Sequence, residues 1–387
     1  MKKWPTIRIA DEFNLQMGKT PARDNPAYWG GDQNWAAISD IARSGMYLTK
    51  TKETISQTAV DESGIKVVPP DTIVMSFKLS IGRTAITTSR VYTNEAIMAF
   101  LPYDTSAFDL HFLYHLFSNR DWSEGSNKAV KGMTLNKATL NAARIPKPDI
   151  SEQRTIAFTL DKLCGLVEKC DEQLERLDQL VKSRFVEMFG KCLLEVAIPE
   201  ICTIIDGDRG KNYPTQGDFS PEGYCLFLNA KNVTKHGFVF KTTSFITQMK
   251  DESLRKGKLV RGDIVLTTRG TIGNIAFFDR NVPYDNVRIN SGMVILRVDD
   301  NRVNPVYFIQ ALKSKIQDVV HRLVSGTAQP QLPISIMSKI RLPLPPLALQ
   351  REFAAFVAKV DKLAFAARRR RDLAQQMYRA KIQEFFG

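Results

Sequence analysis

Two segments of the chain, residues 151–190 and 349–387, have the pattern of long helices. Neither contains proline, and Gly165 is the only glycine in their interiors. In the first segment apolar residues recur at alternating spacings of four and three, the heptad pattern that keeps one stripe of a helix facing a partner in a coiled coil. The predicted seam consists of Ile156, Leu160, Leu163, Val167, Cys170, Leu174, Leu177 and Val181.

The second helical segment has a thinner seam of smaller residues, which allow a bulkier partner stripe to approach closely. Its predicted members are Phe356, Val360, Leu363, Ala367, Ala374 and Met377. A whole region separates the two helices, so pairing within the chain has to be antiparallel. Their net charges of −2 and +5 favour such pairing, although the run Arg368–Arg371 also fits a solvated face or a contact with DNA. The acids expected opposite this run are Glu168, Asp171, Glu172 and Glu175.

The remaining regions, residues 1–150 and 191–348, have a mixed pattern of short apolar runs between turns rich in glycine, proline, asparagine and aspartate. Each contains predicted strands and one helical patch. The strands are Thr72–Phe77, Ala96–Leu101, Ile264–Thr268 and Met293–Val298, and the helices lie near Leu110–Phe117 and Val306–Leu312. The predicted fold class is therefore α/β (α+β), with two mixed domains separated by two long helices that form an antiparallel coiled coil.

The same plan occurs twice along the chain. The pairs Gln153-Arg154 and Gln350-Arg351 lie 197 residues apart, and 37 residues after each glutamine is the glycine of a Phe-Gly pair. Further upstream the run Asp71–Gly82 resembles Asp263–Gly273. Such self-similarity indicates a pseudo-two-fold internal repeat.

Composition narrows the class of partner. The 387 residues include 54 basic and 41 acidic side chains, and the net charge of +13 favours a polyanion, with nucleic acid ahead of an anionic membrane. No apolar run approaches the length of a membrane span, and no apolar segment follows the basic start, so we expect neither a membrane anchor nor a signal peptide. Five cysteines without a CxxC pair indicate reduced thiols and a cytoplasmic protein.

Catalytic motifs are not found. The run Gly18-Lys19-Thr20 lacks the upstream glycine of a phosphate-binding loop. His111 and His115 have the spacing of metal ligands on a helix, but their apolar neighbours favour packing in a core, and we predict no metal site. No lysine has an acid two residues before it, as metal-dependent nucleases of the PD-(D/E)xK kind require. The sequence therefore does not predict an enzyme.

Short runs in both halves of the chain carry a resemblance to one family. They are Gly18-Lys19-Thr20-Pro21, Tyr28-Trp29-Gly30-Gly31, Asp206–Pro214, Ile145–Pro148, Leu342–Pro346, Asp161-Lys162-Leu163 and Asp361-Lys362-Leu363. Together with the repeat, they resemble the specificity subunits of type I restriction-modification systems over nearly the whole chain. Two features depart from a strict repeat. The Asp-Lys-Leu runs lie 8 and 11 residues after their glutamines, and the first region has no Asp-Gly-Asp-Arg run.

The resemblance implies a division of labour. Residues 1–150 and 191–348 would be two target recognition domains, each reading one half of a split, asymmetric site in double-stranded DNA. Residues 151–190 and 349–387 would be the conserved spacer helices, on which modification subunits dock. Those partners would carry the adenine methyltransferase and S-adenosylmethionine, and a restriction subunit would carry the ATP-driven, Mg-dependent translocase and nuclease. This chain would hold no cofactor and would specify rather than catalyse.

Candidate DNA contacts combine basic and amide side chains, which read base edges, with loops that approach closely. A loop repeated in both regions offers Lys78, Ser80 and Arg83, and Arg269, Thr271 and Asn274. A second loop offers Lys128, Lys131 and Thr134, and Gln329 and Gln331. The family-like runs add Lys19, Thr20 and Tyr28, and Arg209, Lys211, Asn212 and Tyr213. For each loop the alternative is a turn that only serves the fold.

Two other functions fit the same sequence. A DNA-binding regulator without enzyme partners would bind its site stably alone. A coiled-coil scaffold for proteins would show no salt-dependent affinity for DNA.

Overall fold

The computed structural model describes residues 4–122, 127–129, 132–324 and 331–387. The chain divides into two compact units. Unit 1 combines Met1–Asp171 with Arg368–Gly387, and unit 2 is Glu172–Ala367. Each boundary falls inside a long helix, so each unit contains one of the two mixed regions together with part of both long helices.

Unit 1 is built from twelve short strands and the helices that cover them in the described residues. The strands are β1 (Thr6–Arg8), β2 (Phe13–Met17), β3 (Trp29–Ala36), β4 (Tyr47–Leu48), β5 (Glu53–Ile55), β6 (Ile73–Ser76), β7 (Thr84–Thr87), β8 (Tyr92–Thr93), β9 (Ile97–Pro102), β10 (Asn127–Ala129), β11 (Gly132–Thr134) and β12 (Arg144–Pro146). The helices are α1 (Ile9–Glu12), α2 (Ile38–Ser44), α3 (Gln57–Ser63), α4 (Leu110–Asn119), α5 (Lys137–Ala142) and the first part of α6 (Ile150–Phe189).

A five-stranded sheet forms the centre of unit 1, in the order β2-β9-β6-β7-β4. Its strands β6 and β7 are buried along their whole length, and β6 lies within the strand Thr72–Phe77 that the sequence predicts. Smaller sheets, β5-β3-β8, β1-β12 and β10-β11, lie around it. The core joins Phe13, Phe100, Phe112 and Phe117 to Leu160 of the long helix, so the sheet, α4 and α6 share one hydrophobic cluster.

Unit 2 repeats this plan. Its strands are β13 (Glu195–Ala197), β14 (Cys202–Asp206), β15 (Cys225–Phe227), β16 (Val233–Thr234), β17 (Gly237–Phe238), β18 (Phe245–Ile246), β19 (Ile264–Thr267), β20 (Ile275–Phe277), β21 (Val287–Arg288), β22 (Met293–Val298) and β23 (Arg341–Pro343). Its helices are the rest of α6, α7 (Ile198–Ile201), α8 (Gln248–Ser253), α9 (Pro305–Val324), α10 (Ile334–Met337) and the first part of α11 (Leu347–Phe386), which ends in unit 1.

The sheet orders show the repeat directly. The central sheet of unit 2 has the order β14-β22-β19-β20, which matches β2-β9-β6-β7 strand for strand. The sheet β18-β15-β21 corresponds to β5-β3-β8, and β13-β23 corresponds to β1-β12. The mixed fold class, the two long helices and the internal repeat that the sequence predicts are thus confirmed.

Both long helices begin where a proline-rich run ends. In unit 1 the side chain of Asp149 accepts the amide of Glu152 at 2.9 Å, which caps the start of α6. Cys164 and Asp171 of α6 contact Tyr378 and Arg371 of α11 respectively, so the two helices run in opposite directions. Arg371 donates to Asp171 at 3.1 Å, one of the ion pairs expected from the charge pattern.

The predicted seam of α6 lies on the packed face. Ile156, Leu160, Cys170 and Val181 are buried. The remaining predicted positions, Leu163, Val167, Leu174 and Leu177, are half-buried.

On α11 the predicted seam needs a correction. Leu363 and Met377 are 55% and 49% exposed, whereas Val360 is buried as predicted. The buried face also recurs at spacings of four and three, but it is set by small residues and by two polar side chains. Its members are Phe353, Val357, Val360, Ala364, Ala367, Arg371, Ala374 and Tyr378. The predicted Ala367 and Ala374 are buried on this face, whereas Phe353, Val357, Ala364, Arg371 and Tyr378 were not predicted.

No helix in the described part of the chain combines the length and the apolar character that crossing a membrane requires. The five cysteines are free thiols.

Candidate nucleic-acid interface

The repeated loop has the same architecture in both units. After β6, the Ser76 hydroxyl donates to the carbonyl of Ser80 and accepts the amide of Arg83 at 3.1 Å. After β19, the Thr267 hydroxyl donates to the carbonyl of Thr271 and accepts the amide of Asn274 at 3.0 Å. A strand-end hydroxyl therefore closes each loop from inside, which leaves the side chains at the tip exposed.

Glycines at the end of each loop adopt a left-handed backbone. Gly82 has φ of 84° and Gly273 has φ of 89°, a conformation that strains other residues. Lys78 is half-buried, and Ser80, Arg83, Arg269 and Thr271 are exposed. Asn274 differs, because its side-chain amide donates to the carbonyl of Val233 at 2.9 Å and is used within unit 2.

The second predicted loop lies beside the first in both units. In unit 1 the amide of Leu135 donates to the carbonyl of Phe77 at 3.0 Å, which places the β10–β11 hairpin next to the loop after β6. In unit 2 the amide of Leu332 donates to the carbonyl of Thr268 at 3.0 Å, and the backbones of Gln331 and Arg269 form an isolated antiparallel β-bridge. The structure thus brings together two loops that the sequence analysis selected separately.

The other predicted contacts on the second loop are Lys128, Lys131, Thr134 and Gln329. Lys131 and Gln329 lie outside the described residues. Lys128 and Thr134 lie on strands β10 and β11, and their side chains are outside the description.

A third segment joins the cluster of unit 2. The amides of Thr268 and Arg269 both donate to the carbonyl of Gly292, at 2.8 and 3.2 Å. Arg209 donates to the neighbouring carbonyl of Ser291 at 3.2 Å, and the Tyr213 hydroxyl accepts the amide of Ser291. Arg209, Tyr213 and Arg269 therefore surround one short segment, and with Gln331 they form what we call the unit 2 cluster.

The Asp208 side chain stabilises the conformation of the loop that contains Arg209. Its buried carboxylate accepts the amides of Gly210 at 2.6 Å and Arg255 at 2.7 Å. Burial raises the pKa of Asp208, but these amides and the Arg255 guanidinium outweigh it and hold the pKa below its usual value. The loop is thus fixed by an ionised carboxylate, with Lys211 and Asn212 exposed beyond it. Asn212 also donates to the carbonyl of Ser253 at 3.1 Å.

Unit 1 has an equivalent of this run that the sequence does not reveal. Gly18 follows β2 as Gly207 follows β14, and at both positions an added Cβ would overlap backbone oxygens, of Thr93 and Asn290 respectively. The runs Gly18-Lys19-Thr20 and Gly207-Asp208-Arg209 hence occupy corresponding places. The missing Asp-Gly-Asp-Arg run in the first region reflects a change of side chains on the same backbone plan.

The three predicted contacts at this end of unit 1 are partly engaged within the fold. Lys19 donates to the carbonyl of Ser63 at 2.5 Å, and Thr20 donates to Glu95. Tyr28 donates to Glu62 at 2.6 Å, and this bond raises the pKa of its hydroxyl. Because the amide of Lys19 also bonds the carbonyl of Thr93, Lys19 and Thr20 border the segment that continues into β9 beside Lys78.

Two other arginines of unit 2 form ion pairs within the unit. Arg288 is buried, pairs with Asp251 and donates to the carbonyl of Lys256 at 2.7 Å. Arg297 forms a bidentate pair with Asp263 at 2.8 and 2.9 Å. These arginines form ion pairs within unit 2, whereas Arg269 and Lys211 are exposed.

The histidine pair of the sequence analysis belongs to a polar network in unit 1. Asp161 accepts from His111 at 2.5 Å and from the buried His115 at 2.8 Å, and His115 also contacts the Tyr378 hydroxyl at 3.1 Å. Burial lowers the pKa of His115 in spite of Asp161. The network joins α4, α6 and α11. Within the described residues no group of three or more histidine, cysteine or acidic side chains has the arrangement of a metal site.

The sequence analysis identified the repeated glutamines Gln153 and Gln350 only as marks of the internal repeat and missed their structural role. Gln153 donates to the carbonyls of Ala107 and Pro148 and accepts the amide of Asp109 at 2.9 Å. Gln350 donates to the carbonyls of Arg302 and Pro345 and accepts the amide of Asn304 at 2.8 Å. Each fully buried glutamine links the start of a long helix to the start of a helix in the mixed region of the same unit, α4 in unit 1 and α9 in unit 2.

Comparison with known proteins gives a consistent result. The family model described as the type I restriction modification DNA specificity domain matches residues 1–176 and 194–373. The MjaIX type I restriction enzyme specificity subunit of Methanocaldococcus jannaschii is 26% identical over 380 residues, which cover 92% of this chain and 86% of the relative. The EcoprrI specificity subunit of Escherichia coli is 27% identical over 171 residues, covering 41% and 42% of the two chains.

Solved structures share the fold. The type I restriction-modification S subunit from M. genitalium aligns with a TM-score of 0.60 at 17% identity, over 100% of this chain and 96% of that chain. A chain from a study of complex assembly and conformational transition of the type I R-M system aligns with a TM-score of 0.59 at 16% identity, covering 100% and 98%.

Proposed function

Because the chain belongs to the type I restriction modification DNA specificity family, we propose that it recognises a bipartite, asymmetric DNA site and directs adenine methylation or restriction by partner subunits. Members of this family are specificity subunits rather than enzymes. Each unit would read one half-site, since each has its own cluster of exposed basic and polar loops. The sequence of the half-sites would differ because the loops carry different side chains.

The observation that carries the proposal is the convergence of three loops at one edge of each central sheet. In unit 2 the cluster brings Arg209, Arg269 and Gln331 around the segment before β22. Arginine reads guanine and glutamine reads adenine in the major groove, and the backbone of such loops meets phosphates. In unit 1 the corresponding edge carries Lys78, Ser80 and Arg83.

The partners follow from the same assignment. Modification subunits would dock on the outer faces of α6 and α11 and supply the methyltransferase with S-adenosylmethionine. A restriction subunit would supply the ATP- and Mg-dependent translocase and nuclease. This chain would bind double-stranded DNA and no cofactor of its own.

The direct test measures DNA affinity of the chain assembled with its modification subunits. Replacing Lys78 or Arg269 by alanine should weaken binding about 5- to 100-fold and leave assembly intact, because each side chain supplies a charged contact to phosphate or base. The control is Arg261→Ala, since Arg261 is bonded to Asp285 and to carbonyls of its own unit. Unchanged affinity in both variants at physiological salt would contradict the proposal, as would stable site-specific binding by the chain alone with no effect of modification subunits.

A further inference from the structure

Leu79 has an unusual backbone at the tip of the loop after β6. Its φ is 64°, and among the described non-glycine residues only Asp71 also has a positive φ. The equivalent position in unit 2 is Gly270, with φ of 70°. A left-handed conformation brings the Cβ of an L-residue close to its own carbonyl and costs free energy that glycine avoids. Unit 1 therefore keeps a leucine where the backbone favours glycine.

Burial of the Leu79 side chain within the fold does not offset the free-energy cost of this backbone conformation. It is 65% exposed, and it belongs to none of the hydrophobic clusters formed by the described residues. Of its neighbours in the loop, Lys78 is half-buried and Ser80 is exposed. A strained residue that persists at a binding surface points to a role in what the surface binds.

The position of the loop restricts what that role can be. The carbonyl of Phe77 bonds Leu135, and the amide of Phe77 bonds the carbonyl of Ala96 at 3.0 Å, so the loop tip projects from the edge at which the three segments of unit 1 converge. An aliphatic side chain has no affinity for phosphate. In the major groove, however, the C5-methyl group of thymine is an apolar feature that distinguishes it from cytosine and from the purines.

We propose that Leu79 is a specificity-determining residue of unit 1 whose side chain contacts the C5-methyl group of a thymine in the half-site read by that unit. The proposal rests on the proposed function. Gly270 has no side chain to make this contact in unit 2, so the equivalent loop tips of the two units differ in the bases that they can discriminate.

The first experiment determines the methylated motif in a host that expresses the full complex with wild-type chain, Leu79→Gly or Leu79→Asn. Glycine removes the side chain and relieves the strain, and asparagine keeps a side chain that tolerates the left-handed backbone. Both variants should lose the preference for thymine at one position of one half-site and keep the other half-site. Arg269→Ala, measured in parallel, should degrade the opposite half-site and thereby assign the halves to the units.

The matched control is Asp71→Gly, which relieves the same kind of strain at the opposite end of β6. It should leave the motif unchanged. The melting temperature should stay equal or rise in both Leu79→Gly and Asp71→Gly, so a change of motif in the first alone cannot come from a damaged fold.

The second experiment replaces each thymine of that half-site by uracil, which lacks only the methyl group. Wild-type affinity should fall about fourfold at one position, as expected for one methyl-sized apolar contact, and Leu79→Gly should show no such difference. An unchanged motif in both Leu79 variants, or wild-type binding that is insensitive to uracil at every thymine, overturns the proposal. Failure of the wild-type complex to give any bipartite motif instead overturns the proposed function.

Discussion

At the scale of single residues, the buried glutamines Gln153 and Gln350 have the most direct structural role in the repeat. Each is fully buried, and each side chain donates to two backbone carbonyls and accepts one backbone amide. Buried backbone groups without partners are costly. The glutamines therefore fix the angle at which a long helix leaves the mixed region of its unit.

Replacing Gln350 by leucine should lower the free energy of unfolding by about 3 kcal/mol, because the similar volume is kept while three buried polar groups lose their partner. Chemical denaturation of the full chain measures this. Gln376→Leu is the control, since Gln376 is exposed on the same helix and should change stability by less than about 0.5 kcal/mol. Equal stability of the two variants would contradict the role assigned to Gln350.

At the scale of elements, the repeat and the periodicity predicted much of the fold. Met293–Val298 is the strand β22 with the predicted bounds, and α6 begins and ends within one residue of its prediction. The buried face of α11 was predicted only in part: Val360, Ala367 and Ala374 are buried as predicted, but Leu363 and Met377 are exposed. The half-buried Arg371 on this face could not be found from apolar periodicity. Nor does any sequence pattern reveal the backbone of Leu79, which depends on the closure of its loop by Ser76.

The corrected face of α11 gives a paired prediction. Ala374 is 1% exposed and Leu373 is 55% exposed. Ala374→Glu should destabilise the chain by about 3 kcal/mol or more, because it places a charge and extra volume into a packed seam. Leu373→Glu should leave the melting temperature within a few degrees of wild type. If thermal unfolding shows the reverse order, the seam described for α11 is wrong.

The network around His115 predicts a dependence on pH. Burial depresses the pKa of His115, and the groups that face it are Asp161, His111 and Tyr378. The unfolded chain then binds a proton that the folded chain does not, so this contribution to stability is complete above the ordinary histidine pKa of about 6.5 and is lost as pH falls below it.

The free energy of unfolding, measured by denaturation from pH 7.5 downwards, should therefore decrease as the pH falls below about 6.5, and one group can contribute at most about 1.4 kcal/mol per pH unit to this slope. His115→Gln should remove that part of the slope. His236→Gln is the control, because His236 is exposed in unit 2 and its loss should leave the slope in place. A slope that persists in His115→Gln would show that other groups cause it.

At the scale of the whole molecule, the net charge of +13 acquires a more specific meaning once the chain is divided by its repeat. Part of the basic charge is paired with acidic side chains of the same chain, as in the ion pairs of Arg288, Arg297 and Arg371. The exposed part includes Arg83, Lys211 and Arg269, which lie on the loops that converge in each unit. The two units share one backbone plan and differ in the side chains of the loops that converge in each unit.

The most direct test of the central claim is sequencing of DNA methylation in a host with the modification subunits, with and without this chain. The account predicts methylated adenine in a bipartite, asymmetric motif that appears only when the chain is present. It also predicts that Lys78→Ala and Arg269→Ala weaken recognition of different halves of that motif. A motif that is unchanged by removal of the chain, or by both substitutions, would contradict the account.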